Sequence, residues 1–298
     1  MPFKSPIYLD YSIVDVFADR VFQGNQLAVV KTDSNLTKEI MYEITREFGF
    51  SETTFILRNN DLEKPVPVRI FGLNGEMRFA GHPSLGTAFV LRGKSGAGMI
   101  SLSLPVGTIP VSFMDSQDGT ICEMRQPDPE FQTIHDPVEI AKALGVSNEA
   151  IDTTLPVQTV STGNRFVIVP FRHLSDLAKV KLDRRAWSYL AEKEALHFYL
   201  ISQETLNKRA RVHARMIYEM GEDPGTGSAA GPACAYMLKY NLMGSGESLM
   251  IEQGIEFGRP SLLRISGLLK GSYPSDIRVA GKCFESAVGK IGVPVSGD

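Results

Sequence analysis

The chain has 298 residues, 43% of them hydrophobic, and a formal net charge of −3. That length suits one large or two ordinary domains with substantial cores, and the mild negative charge gives no reason to expect nucleic-acid binding. Cys122, Cys234 and Cys283 are few, odd in number and scattered, which speaks against a disulfide framework and suits a reduced, cytoplasmic setting.

In chain order, charges at Lys4, Asp10, Asp15 and Asp19 interrupt any early apolar run, so no signal peptide is expected. The segment GNQLAVV (24–30) precedes an amphipathic helix over 37–48, with Ile40, Met41, Ile44 and Phe48 on one face and Gly49 as a stop. A strand over 53–57 follows, entered through Ser51 and Glu52. An alternating strand comes at 66–71, and then HPSLGTA (82–88) opens a helix whose residues 83–91 carry no charge. The uncharged stretch 95–114 is long enough to span a bilayer, but its Ser, Thr, Gly and Pro content reads as turns and strands. No membrane association is expected. The polar turn 115–119 lies near the midpoint and is a candidate domain boundary. We therefore divide the chain into 1–117, completed by a C-terminal strand at about 288–298, and 118–287.

The second half runs through matching features. After a capped helix start at Asp136-Pro137-Val138-Glu139, GNRFVIV (163–169) echoes GNQLAVV. A helix over 183–193 around Trp187 and Leu190 follows, then strands at 196–201 and 212–218. DPGTGSA (223–229) then repeats the xPxxG[ST]A pattern of HPSLGTA, and residues 228–238 carry no charge. Five elements matched in one order indicate an internal duplication. A helix that is apolar all round is a buried helix. The expected fold is therefore α+β, with two pseudo-twofold-related domains. Each is a curved, barrel-like, mostly antiparallel sheet around a central buried helix.

The first turn of a helix presents free N–H groups and partial positive charge, so it attracts anions. Gly81-His82 and Gly227-Ser228 place glycines where a ligand would approach closely. Two such openings could hold a carboxylate and stabilise enolate-like charge. His82 and Asp223 occupy matching repeat positions and would converge across a pseudo-twofold axis, where they could position a substrate or shuttle protons. Glu52 adds a carboxylate at the mouth of an apolar strand, and a Glu partly withdrawn from water suits acid/base work near neutral pH. Glu194 lies at a loosely similar place in the second half, with no equivalence claimed.

Plainer readings exist for each residue. Asp223 before Pro224 reads locally as a helix N-cap. His82 could be structural, Glu52 an exposed strand start, and Ser228 a cap. GTGSAA (225–230) resembles a dinucleotide fingerprint, but Glu222, Asp223 and Pro224 stand where a strand should lead in, and two carboxylates would repel a pyrophosphate. The five histidines, His82, His135, His173, His197 and His213, lack ligand spacing, so no metal is expected. Arg209, Arg211, His213 and Arg215 alternate along one strand and read as a solvated face.

The segments DVFADRVFQGNQLAVV (15–30), FSETTF (50–55), FAGHPSLGTA (79–88), GEDPGTGSAAGPA (221–233) and QGIEFGRPS (253–261) resemble the PhzF-like family, named for a phenazine-biosynthesis isomerase. The resemblance implies the diaminopimelate-epimerase-like fold with the active site between two domains, a homodimer, and no cofactor. It also implies that Glu52 moves a proton along the substrate while His82, Asp223 and Ser228 line the site. Asn25, Gly81, Thr226 and Gly227 fall in the same motifs and are expected to contact substrate. Related racemases on this fold use two opposed cysteines. Here the helices open with Gly81-His82 and Gly227-Ser228 and Cys234 lies deeper, so two-thiol chemistry is disfavoured. The expected activity is a cofactor-independent isomerisation of a small carboxylate-bearing substrate. The alternatives are a small-molecule binder without turnover, and a single-base epimerase or hydro-lyase.

Overall fold

The structure, a computed structural model, describes residues 6–32, 36–57, 61–93, 95–191, 197–219 and 221–294. Its contacts divide the chain into two units. Unit 1 comprises Met1–Phe22, Gln26–Met124 and Lys282–Asp298, and unit 2 comprises Gln23–Asn25 and Arg125–Gly281.

Unit 1 is built from β1 (Ile7–Val16), β2 (Asn25–Thr32), α1 (Lys38–Phe48), β3 (Glu52–Leu57), β4 (Val66–Gly72), β5 (Gly75–Met77), α2 (Gly81–Arg92), β6 (Met99–Leu104), β7 (Gly107–Ser116) and β8 (Gly119–Arg125). The ends of α1 follow its sequence. The Thr37 side chain accepts from Ile40 N–H, and Gly49 closes the helix at φ 68°, a left-handed conformation that glycine adopts without a Cβ penalty. Its apolar face, Met41 and Ile44, packs on Val30, Phe55 and Phe71, and the last two rings meet edge to face at 5.6 Å. The uncharged stretch 95–114 forms β6 and most of β7. The polar turn 115–119 is the β7–β8 hairpin, with Ser116 opposite Gly119, so it lies inside unit 1.

Unit 2 continues with β9 (Glu130–Ile134), α3 (Pro137–Leu144), β10 (Gln158–Ser161), β11 (Arg165–Phe171), α4 (Leu174–Leu177), α5 (Arg184–Ala191), β12 (Phe198–Ser202), β13 (Val212–Tyr218), β14 (Gly221–Asp223), α6 (Gly227–Lys239), β15 (Ser248–Gln253), β16 (Ser261–Lys270) and the first part of β17 (Tyr273–Val293). Asp136 caps α3 by accepting from Val138 N–H, with Pro137 as the first helical residue, where its missing N–H is not needed. Of the expected helix over 183–193, α5 accounts for 184–191. Glu194 lies outside the described residues.

The strand pairings recur in the two units. In unit 1, β2 pairs parallel with β3, β3 antiparallel with β4, β4 antiparallel with β5 and parallel with β6, and β6 antiparallel with β7. In unit 2, β11 pairs parallel with β12, β12 antiparallel with β13, β13 antiparallel with β14 and parallel with β15, and β15 antiparallel with β16. The sheet in each unit is thus mixed and mostly antiparallel. In unit 1 the later part of β17 runs antiparallel to β1, from Val16 opposite Cys283 to Ile7 opposite Val293.

The two helices that carry the uncharged stretches are largely buried. In α2 every residue from Gly81 to Ala88 is buried, and in α6 Ser228 alone between Gly227 and Leu238 is not. α2 packs against β1, β3, β6 and β7, and α6 against β10, β11 and β16. Small residues make this proximity possible. A Cβ on Gly86 would lie 2.6 Å from Leu27 Cδ2, and one on Gly231 would lie 1.8 Å from Gln126 Oε1. The side chains that look out of place are the charged ones on β13. Arg209 and Arg211 are exposed, as the alternating pattern suggested, but His213 and Arg215 are buried. Arg215 makes a two-pronged ion pair with Glu222 at 2.9 and 2.7 Å, and His213 sits between Glu252 and Glu256. Paired carboxylates supply what burial of those charges requires. Among the described residues, no helix is long and apolar enough to cross a membrane.

Candidate functional site

In unit 1 the candidate residues gather where β3 begins and α2 opens. Glu52 is the first residue of β3, with its side chain 16% exposed. The Thr54 and Thr87 hydroxyls, 2.7 Å apart, tie β3 to α2. Gly81 opens α2 after an extended Ala80 that provides no side-chain cap, and no acidic residue lies in the first turn. Ser84 and Thr87 return their hydroxyls to the carbonyls of Ala80 and Pro83, which makes them structural.

His82 is the second residue of α2, and its Nε2 lies 3.5 Å from Glu52 Oε2. Burial pushes the imidazole down to about 3, and a hydrogen bond with the Gln26 backbone only partly offsets this. The ring is neutral near pH 7, so its contact with Glu52 is not an ion pair. A neutral imidazole beside a carboxyl group can donate or accept a hydrogen bond without adding a net charge to the pocket.

In unit 2 the candidates lie where β14 turns into α6. Asp223 ends β14, is buried, and does not cap the helix. The N-cap position is Thr226, which makes no side-chain cap bond, and the first turn again lacks an acidic residue. The Asp223 carboxylate instead accepts from Asn25 Nδ2 at 2.9 Å on one oxygen and from the Thr226 hydroxyl on the other. Asn25 also donates to the Gly225 carbonyl at 3.0 Å. Gly227 and Ser228 are the first two residues of α6. Pro232, four residues past Ser228, lacks the N–H that would bond the Ser228 carbonyl, so the helix leaves that carbonyl without its usual donor. Cys234 is fully buried and its thiol is pushed up to about 12 by burial. Such a thiol is a poor acid/base.

The structure thus brings Glu52 together with His82 in unit 1, and Asn25 with Asp223 and Thr226 in unit 2. Gly81 and Gly227 stand at the openings of α2 and α6. Sequence reasoning gave no role to Tyr199, Gln253 or Arg259. Gln253 and Arg259 lie in the quoted segment 253–261, yet nothing in that segment shows which atoms they hold. Arg259 donates to the carbonyls of Gly24 at 2.9 Å and Gln23 at 2.8 Å, which carries Asn25 into place.

Comparison with known proteins places these features in context. The family model described as phenazine biosynthesis-like protein, PhzC-PhzF, matches residues 14–289. An uncharacterized isomerase of Mesorhizobium japonicum is 34% identical, covering 95% of this chain and 98% of its own length. The trans-2,3-dihydro-3-hydroxyanthranilate isomerase of Pseudomonas aeruginosa is 32% identical, covering 94% and 98%. The crystal structure of a phenazine biosynthesis protein of the PhzF family from Bacillus anthracis superposes with a TM-score of 0.85. It is 25% identical and covers 96% of this chain and 99% of that one.

Proposed function

Because the chain belongs to the phenazine biosynthesis-like PhzC-PhzF family and is an isomerase, we propose that it shifts a proton within a small carboxylate-bearing substrate, without a cofactor, through Glu52. The observation that carries this reading is the 3.5 Å approach of Glu52 Oε2 to Nε2 of a buried, neutral His82 at the opening of α2. Separations of this size commonly tighten when substrate binds.

Glu52, as carboxylate, takes a proton from carbon. The electron pair left behind spreads into the adjoining unsaturation and the substrate carboxylate. Glu52, now protonated, returns the proton to a different carbon, and no redox change occurs. N–H groups at Gly81–His82 and Gly227–Ser228 stabilise the anion as charge develops. His82 orients the substrate and Glu52, while Asp223 and Ser228 contact its polar groups. An unsaturated ring acid bearing an amine, the kind on which the Pseudomonas aeruginosa relative is named to act, is the first substrate class to test.

We further propose a homodimer working in a reducing, cytoplasmic setting, in keeping with three free cysteines. Sedimentation equilibrium reads the first directly. The function is tested by proton NMR in D₂O with trans-2,3-dihydro-3-hydroxyanthranilate and a panel of unsaturated and amino-substituted acids, run beside Glu52→Gln. Deuterium entering a new carbon position with wild type and not with Glu52→Gln is expected. Equal exchange by both proteins would sink the assignment of Glu52. Product analysis separates isomerisation from epimerisation or elimination, and ligand shifts without exchange would mark a binder.

A further inference from the structure

We propose that Gln253 is a positioning residue that fixes the orientation of the Asp223 carboxylate. This rests on the reading above that Asp223 contacts substrate.

Gln253 is the last residue of β15 and is fully buried. A primary amide has two N–H donors and two acceptor positions on its oxygen, and the structure fills all four. Nε2 donates to the Asp223 carbonyl at 2.7 Å and to the Thr226 hydroxyl at 2.9 Å. Oε1 accepts from Thr226 N–H at 3.1 Å and from the Tyr199 hydroxyl at 3.1 Å.

The partners leave no freedom in how the amide points. A backbone N–H can only donate, so Thr226 N–H must face Oε1. A backbone carbonyl can only accept, so the Asp223 carbonyl must face Nε2. Tyr199 agrees with this orientation. Burial, aided by the negative charge of Asp223, pushes its phenol upward, so the hydroxyl keeps its proton and donates.

One consequence reaches the candidate site. Because the Thr226 hydroxyl receives Gln253 Nε2–H, its own proton is directed to Asp223 Oδ2. Asn25 holds Oδ1. The carboxylate is thereby gripped at both oxygens by side chains that are themselves fixed, and its remaining lone pairs have a defined direction. The chain turn supports the same point. Gly254 adopts φ +76°, and a Cβ there would lie 2.3 Å from the Pro224 carbonyl oxygen, so β15 ends pressed against the turn that carries Asp223. An apolar residue could fill the same volume. A fully satisfied buried amide adds directionality that packing alone does not.

The test uses Gln253→Met, which preserves length and removes every hydrogen bond, in wild-type and Asp223→Asn backgrounds, with the deuterium-exchange assay as readout. If Gln253 acts through Asp223, Gln253→Met lowers kcat by about 10- to 100-fold with KM nearly unchanged, and adds almost nothing in the Asp223→Asn background. Equal losses in both backgrounds would overturn the proposal and leave Gln253 with a general structural role. Should Gln253→Met fail to fold, Thr226→Val and Thr226→Ser carry the test. Ser keeps the relayed hydroxyl and is expected to retain activity that Val loses; equal activities would overturn the relay.

A crystal structure of Gln253→Met, or of Thr226→Val in its place, supplies an arm independent of turnover. The Asp223 carboxylate is expected to rotate away from its wild-type position, and an unmoved carboxylate would overturn the proposal. If wild type exchanges deuterium with no acid tested, the functional reading fails, while the crystallographic comparison still decides whether Gln253 orients Asp223.

Discussion

Asn25 donates from its side-chain amide to Asp223 Oδ1 at 2.9 Å, although 198 residues separate the two. The short segment Gln23–Asn25 belongs with unit 2 for this reason and because Arg259 grips the carbonyls of Gln23 and Gly24. An amide that spends both hydrogens on Asp223 and Gly225 is part of the machinery that holds the carboxylate.

Replacing Asn25 by Ala leaves the Gly225 carbonyl and one Asp223 oxygen without this buried donor. A loss of about 1–3 kcal/mol in urea unfolding is expected, together with a fall in turnover larger than stability alone explains. Asn25→Asp sets a second carboxylate against Asp223 and is expected to be worse than Asn25→Ala in both assays. Unchanged unfolding midpoints would refute the role.

His82 makes the folded protein sensitive to acid. Its folded value, about 3, lies below the ordinary 6.5 because burial disfavours the charged ring. The unfolded chain therefore binds a proton that the folded chain refuses, and the His82 contribution to stability is lost as pH falls from about 6.5 toward 3. His82→Asn is expected to flatten the unfolding free energy across that window, as measured by urea titrations at several pH values.

His213 gives the opposite sign. Burial opposes its charge, but hydrogen bonds to Glu256 at 3.0 Å and Glu252 at 2.8 Å outweigh burial and raise its value. A neutral imidazole can donate to only one of these carboxylates. The contribution is complete below about 6.5 and declines as pH rises through the folded value. A further charged group near this cluster is Arg215, which is paired with Glu222 and favours the charged form of Glu256. His213→Gln is expected to remove the loss of stability above neutrality; a wild-type decline that persists in the variant would place its origin elsewhere.

Gly231→Ala drives a methyl into the Gln126 side chain, which otherwise donates to the Gly227 carbonyl at 2.8 Å. Overpacking of this kind is expected to cost about 1–3 kcal/mol. Because Gln126 holds the first residue of α6, turnover should fall as well. Gly86→Ala, against Leu27 and Val16, is the control in unit 1. Thermal unfolding of both variants checks the pair.

Much of the architecture was legible in the chain itself. The capped helix 37–48, the strands near 53–57, 66–71 and 212–218, and the two uncharged helices follow from periodicity, capping and the absence of charge. These local signals survive whatever the chain packs against. The repeat of HPSLGTA as DPGTGSA, with matched elements before it, indicated a duplication, and one strand-pairing order does appear in both units. Two things were not legible. His213 and Arg215 looked solvated because periodicity cannot show that Glu222, Glu252 and Glu256 lie beside them. The plainer reading of Asp223 as a helix cap was open because local sequence cannot show a partner 198 residues away. Composition, spacing and repetition belong to the chain as a string and determined the elements, the buried helices and the residues worth watching. Which donor reaches which oxygen depends on long-range pairing. Tertiary structure alone therefore decided that His82 is buried and neutral beside Glu52, and that Asn25, Thr226 and Gln253 converge on Asp223.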